Sequence, residues 1–182
     1  MRASPTHRDL MACLRRLIDA IDTATEISGR ALAWLALALV LVTLWVVIWR
    51  HGFGRGSVAL QEAMTYLHAG LFLLGAAYAL KHGAHVRVDI FYRRFSARTR
   101  AWVDALGSIL LLLPLCALII LTSLDYVAAS WAIRERSPEP GGIDAVYWLK
   151  TLIPLMAANL GLQGLAELGR NLLCLYQPDE DH

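Results

Sequence analysis

Charge is scarce in this 182-residue chain: Asp, Glu, Lys and Arg make up 18% of it, against 57% hydrophobic residues, and the mean hydropathy is +0.49. A soluble domain of this length carries more charge, so the water-soluble globular class is set aside. Cysteine is scarcer still. Cys13, Cys116 and Cys174 are odd in number, far apart and without a CxxC spacing, so they imply neither a disulfide framework nor a zinc site and read as small apolar side chains. The histidines, His7, His51, His68, His82, His85 and His182, are scattered. Only His68 falls inside an apolar run, whereas a haem between helices takes two axial ligands. His82 and His85 adjoin Lys81 and Arg87, which would repel a metal cation. No phosphate-cradling glycine loop occurs, and no serine or cysteine has a base at a suggestive spacing. The chain is therefore expected to be no enzyme and to hold no cofactor or metal. Its arginines lie beside apolar blocks and not on a soluble face, which argues against nucleic acid as a partner.

What the chain has is apolar sequence in lengths that match a bilayer. Ala31 to Trp49 runs nineteen residues without a charge, about 28 Å at 1.5 Å per residue, close to the hydrocarbon thickness. Trp45 and Trp49 suit an aromatic belt at its far end. About thirty residues including Asp9, Asp19, Asp22 and Glu26 precede this block, so it reads as a retained anchor and not as a cleavable signal. Within those residues Leu10, Met11, Leu14, Leu17, Ile18, Ile21 and Ile27 recur at threes and fours. That is the period of an amphipathic helix lying in the membrane interface, or of one packed on a partner.

A glycine-rich turn, RHGFGRG, leads to a second helix that Ser57 caps and that runs to about Leu80. Its Gly70, Gly75, Ala76, Ala77 and Ala79 make a smooth surface that permits close helix approach. Glu62 lies one to two turns inside and either reaches the interface or pairs within a bundle, with Arg55 or another chain as partner. Beyond a basic loop, Ser96 caps a third helix, which Pro114 is expected to kink. Tyr126 and Trp131 mark its far interface. RERSPEPGGID is an extramembrane loop. A fourth helix follows, with Tyr147 and Trp148 at its start and with Asn159, Gln163, Glu167 and Arg170 forming one stripe at spacings of four, four and three.

The sequence thus predicts an all-α integral membrane protein. A cytoplasmic or interfacial amphipathic segment over 1–30 precedes a four-helix transmembrane domain over 31–173 (about 31–49, 57–80, 97–132 and 146–173). An acidic tail over 174–182 follows. Orientation comes from the basic residues. Arg2, Arg8, Arg15, Arg16 and Arg30, then Lys81, Arg87, Arg93, Arg94, Arg98 and Arg100, then Arg170, stand against Arg50, Arg55, Arg134, Arg136 and Lys150. Twelve against five puts both termini and the middle loop in the cytoplasm, with Lys150 snorkelling outward past Trp148. Arg87, Arg93, Arg94, Arg98 and Arg100 with Trp49, Trp131 and Trp148 are the candidate lipid and topology anchors. Glu62, Asp89, Asn159, Gln163, Glu167 and Arg170 are the candidate interhelical or partner contacts, with Asp89 ordering the basic loop through a local ion pair.

Two patches carry a family resemblance. LGAAYALKHGAHVRVDIFY followed by SARTRAWVD is the first, and SWAIRERSPEPGGID followed by LKTLIPL and LQGLAELGR is the second. Over about Ala31 to Asn171 the chain resembles the small permease subunit of tripartite ATP-independent periplasmic (TRAP) transporters, the DctQ-like family. The resemblance implies a scaffold in the bacterial inner membrane, partnered by a large permease subunit and a periplasmic solute-binding protein. It further implies uptake driven by an ion gradient, with carboxylates as the usual solutes. From the residues alone two other classes stay open, a membrane anchor of a haem or quinone complex and a small self-assembling exporter.

Overall fold

The computed structural model describes residues 5–84 and 95–176, all of them in helices and their connections. Helix α1 spans Pro5–Phe53. Proline suits the opening of a helix, where its missing N–H would be unpaired anyway. At 1.5 Å per residue α1 is about 74 Å long, more than twice a hydrocarbon core. It does not break near residue 30, where the amphipathic segment and the first apolar run were expected to part. The reason is a single inward stripe that crosses that boundary: Ile18, Thr25 and Leu32 are all buried, with Leu14, Asp22, Gly29 and Leu39 half-buried along the same face. Leu17 and Ile27 point away from it. The helix also continues through RHGF, so the glycine-rich turn shrinks to the residues after Phe53.

Helix α2 spans Val58–Lys81, capped by Ser57, whose hydroxyl accepts from Leu60 N at 3.4 Å. Helix α3 spans Ala97–Gly107, capped by Ser96, whose hydroxyl accepts from Thr99 N at 3.2 Å. One π-helical turn, Ser108–Leu112, joins it to α4, Leu113–Ile133. Pro114 explains the wide turn: it has no N–H to offer the carbonyl one turn back, and the backbone re-pairs by one extra residue, with Leu113 N bonding Ser108 O. Helix α5 spans Val146–Tyr176 and accommodates Pro154.

Helix α5 is the hub. It packs on α1, α2, α3 and α4, and α1 also packs on α2. The interior is built from small side chains, with Ala77, Ala105, Ala157 and Ala166 no more than 2% exposed, while Trp34, Phe72 and Leu111 are 72% exposed. Such an inside-out distribution suits a lipid solvent, where helices associate by close backbone approach and not by burying leucine. Gly29 shows how close. A Cβ there would sit 2.0 Å from the Tyr78 ring of α2. Three helices, within Met11–Phe53, Val58–Lys81 and Arg98–Ile133, are long and apolar enough to cross a membrane. Helix α5 is long enough but does not meet the same standard, because the stripe from Asn159 to Arg170 interrupts it.

One end of the bundle gathers the first half of α1, the end of α2, the start of α3 and the second half of α5. The other end holds the start of α2, the end of α4 and the 134–145 loop. Each end is closed by a polar knot.

Candidate functional site

The first knot centres on Asp22 of α1. Its Oδ1 accepts from Gln163 Nε2 and from Arg170 Nη2, both at 3.0 Å. Gln163 is fully buried, and its Oε1 accepts from the Thr25 hydroxyl at 2.7 Å. Arg170 also meets Glu167 at 3.3 Å. From α2, Lys81 Nζ donates to the Asp22 carbonyl and to Glu26 Oε2, each at 2.9 Å, and Arg30 meets the other Glu26 oxygen at 3.2 Å. A half-buried carboxylate is costly unless paired. Here each acid faces at least one cation, and three helices are tied by the same groups.

At 100° per residue Asn159, Gln163, Glu167 and Arg170 of α5 fall within about 80° of one another around the axis. Gln163 and Arg170 reach Asp22 of α1. Asn159, about 6 Å further along the axis, lines an apolar groove of about 410 Å³ with Ser28, Leu32, Leu74 and Leu155. Sequence alone puts Asp22 and Glu26 between the apolar positions of the first segment and Lys81 in the basic loop, and gives Thr25 no role, so their meeting with α5 and with one another is not foreseen. The available signal was spacing: Asp22 and Thr25 fall on the Ile18–Leu32 face.

The second knot closes the 134–145 loop. Glu62 of α2 accepts from the Ser137 hydroxyl and, at 2.6 Å, from Ile143 N. Among the described residues these loop groups, not Arg55, are its partners. Gly142 is required at the contact, for a Cβ there would lie 2.7 Å from Glu62 Oε1 and closer still to Ser137. Glu135 accepts from Ser130 at 2.6 Å and from Lys150 at 2.5 Å, and the Lys150 ammonium sits 4.0 Å over the Tyr126 ring. Lys150 thus turns into the knot instead of running past Trp148. Trp131 Nε1 donates to Thr151 at 2.9 Å, and its ring meets Tyr147 and Trp148 edge-on at 4.7 and 5.2 Å.

Hydrogen bonds from Lys150 first, then Ser130, hold the Glu135 carboxyl below the usual glutamate range. A depressed carboxylate contributes stability that is present above its unfolded value, about 4.3, and is lost as pH falls through the folded value. We expect the wild-type melting temperature to fall below pH about 4 more steeply than that of Glu135→Gln. Parallel pH profiles for the two proteins would remove Glu135 from the account.

Of the expected anchors, Trp49 stacks on Trp45 at a centroid distance of 5.5 Å and meets Phe53 at a tilt at 4.9 Å. Arg98 is exposed, and Arg100 donates to the Phe95 carbonyl at 3.1 Å. Arg87, Asp89, Arg93 and Arg94 lie outside the described residues. Among the described residues no group of three or more His, Cys, Asp or Glu side chains could hold a metal ion.

Helices apolar outside and knotted within describe a multi-pass membrane protein, in which Asp22, Glu26, Lys81 and Arg170 join its own helices. The family model of tripartite ATP-independent periplasmic transporters, DctQ component, matches residues 39–174, three-quarters of the chain, and the chain belongs to that family. The family supplies the small permease component of a TRAP transporter and works with a large permease subunit and a solute-binding protein. Comparison with curated proteins finds no match.

Proposed function

We propose that the chain is the scaffold subunit of its transporter, standing still in the bacterial inner membrane while the large permease subunit moves solute. The observation that carries this reading is the use of the buried and half-buried charge. Asp22, Glu26, Lys81, Glu135, Lys150 and Arg170 engage one another across helices, which stiffens the chain. Uptake would be driven by an ion gradient, with a carboxylate delivered by the periplasmic binding protein as solute.

Both termini and the connection between α2 and α3 are cytoplasmic in this reading, on the strength of the arginine and lysine count. The amphipathic first segment of α1 then lies at or beyond the cytoplasmic interface. Arg87, Arg93, Arg94, Arg98 and Arg100 grip anionic headgroups, each worth about 1 kcal/mol near the surface. Trp49, Trp131 and Trp148 mark the opposite interface. Together these anchors resist tilting of the scaffold.

Liposomes holding the large subunit, with binding protein and an ion gradient, provide the test. Solute uptake is expected only when this chain is also present, and equal uptake without it would overturn the proposal. Replacing Arg87, Arg93 and Arg94 together by Gln is expected to lower co-purification or uptake in anionic lipid. If both stay at the wild-type level, the headgroup grip is withdrawn.

A further inference from the structure

The outward faces of the bundle differ in kind. Helix α1 presents Trp34, Leu37, Val40, Leu41 and Leu44, and α4 presents Leu115, Leu118 and Leu121, all strongly exposed. These are surfaces that acyl chains satisfy. The outward face of α2 does not match them. Its exposed positions are Gln61, Thr65, His68 and Phe72, at spacings of four, three and four along one side of the helix.

Depth makes this face costly in lipid. His68 lies ten residues into the 24-residue α2, about 15 Å along an axis of about 36 Å, so it sits near the bilayer midplane when α2 crosses. Thr65 returns its hydroxyl to the Gln61 carbonyl at 3.4 Å. The His68 ring stacks on Phe72 at 6.2 Å, and neither Gln61 nor His68 has a side-chain hydrogen bond among the described residues. A neutral imidazole has one donor and one acceptor, an amide has two of each, and hydrocarbon offers nothing to either. Beside the stripe, Thr65 also edges a groove of about 320 Å³ between α2 and α5, with Ala69, Leu73, Leu149 and Ile153 and with Tyr126 of α4 at its side. The groove offers a helix a seat next to the polar row.

We propose that the Gln61–Thr65–His68–Phe72 face of α2 docks a transmembrane helix of the large permease subunit that presents hydrogen-bonding side chains at membrane depth. The proposal rests on the assignment of this chain as the small subunit of such a transporter. It makes α2 the partner-facing helix and leaves the outer faces of α1 and α4 to lipid.

The test places photoreactive benzoylphenylalanine at position 65 or 68 of the full-length chain, co-expressed with its large permease subunit. Positions 40 and 118, on the apolar faces of α1 and α4, serve as comparison. Adducts with the large subunit are expected from 65 and 68 in several-fold excess over 40 and 118. His68→Leu is expected to lower the co-purified large subunit about threefold, the equivalent of one interhelical hydrogen bond. His68→Gln, which keeps a donor and an acceptor, is expected to retain most of it. Adducts from 40 or 118 instead, a product of two copies of this chain, or adducts with lipid alone would each overturn the docking face. In those cases the unlabelled chain still brings down the large subunit and the assignment as its partner stands. Failure of the unlabelled chain to do so removes both.

Discussion

A chain carrying Asp22→Leu is expected to unfold about 2–4 kcal/mol more easily than the wild type. Measured as denaturant or thermal unfolding of the purified protein in detergent, this is among the largest single losses the bundle offers. Asp22 Oδ1 serves Gln163 and Arg170 at once. Hydrogen bonds to a charged group are worth about 1.5–3 kcal/mol each, and the Arg170 side chain, 40% exposed, takes the lower part of that range because water rescues it. Gln163 has no such rescue, being fully buried. Its amide would face leucine. Asp22→Asn keeps an acceptor for Gln163 and should cost about half as much. Asp22→Leu with Gln163→Leu should cost less than the sum of the two, because the orphaned amide is then gone as well. Strict additivity would show that the two side chains do not act as a unit.

Release of the 134–145 loop is the second large effect. Glu62→Ala is expected to raise trypsin cleavage at Arg134 or Arg136 by about thirtyfold through local opening. Both Glu62 oxygens are engaged, one by the Ser137 hydroxyl and one by Ile143 N, and the loop passes tightly enough over them to exclude a side chain at Gly142. Glu62→Gln retains one acceptor and should give an intermediate rate. Arg55→Ala, which touches none of these groups, should leave the rate unchanged. When opening is fast relative to cutting, cleavage reports the opening equilibrium. A wild-type rate for Glu62→Ala would mean that the loop is held by something else, such as Glu135 and Lys150.

Much of the helical framework follows from local chemistry. A run such as Ala31 to Trp49 has few options but a helix in lipid, and Ser57 and Ser96 cap wherever a helix begins after them. That is why α2 and α3 begin at Val58 and Ala97, directly after the two serines. Less was legible where two local signals competed. Arg30 and the change in composition beside it suggested a boundary, yet the inward stripe from Leu14 through Thr25 to Leu39 carries α1 straight through. Pro114 promised a kink, and the backbone answered with a π turn that a count of missing hydrogen bonds could have suggested.

The sequence by itself determined that this is a helical membrane protein, where α2 and α3 are capped and which family it belongs to. These depend on hydropathy, caps and short motifs, which act over a few residues. Only the tertiary structure decided which polar groups meet. Asp22 and Gln163 are 141 residues apart, and Glu62 and Ile143 are 81. Their meeting depends on how α1, α2 and α5 are rotated about their axes, set by the close approach of residues such as Gly29, Ala77 and Ala157. Hydrophobicity cannot set that rotation, because lipid satisfies every apolar face equally. Small residues set how near the helices come, and paired charge sets which faces meet.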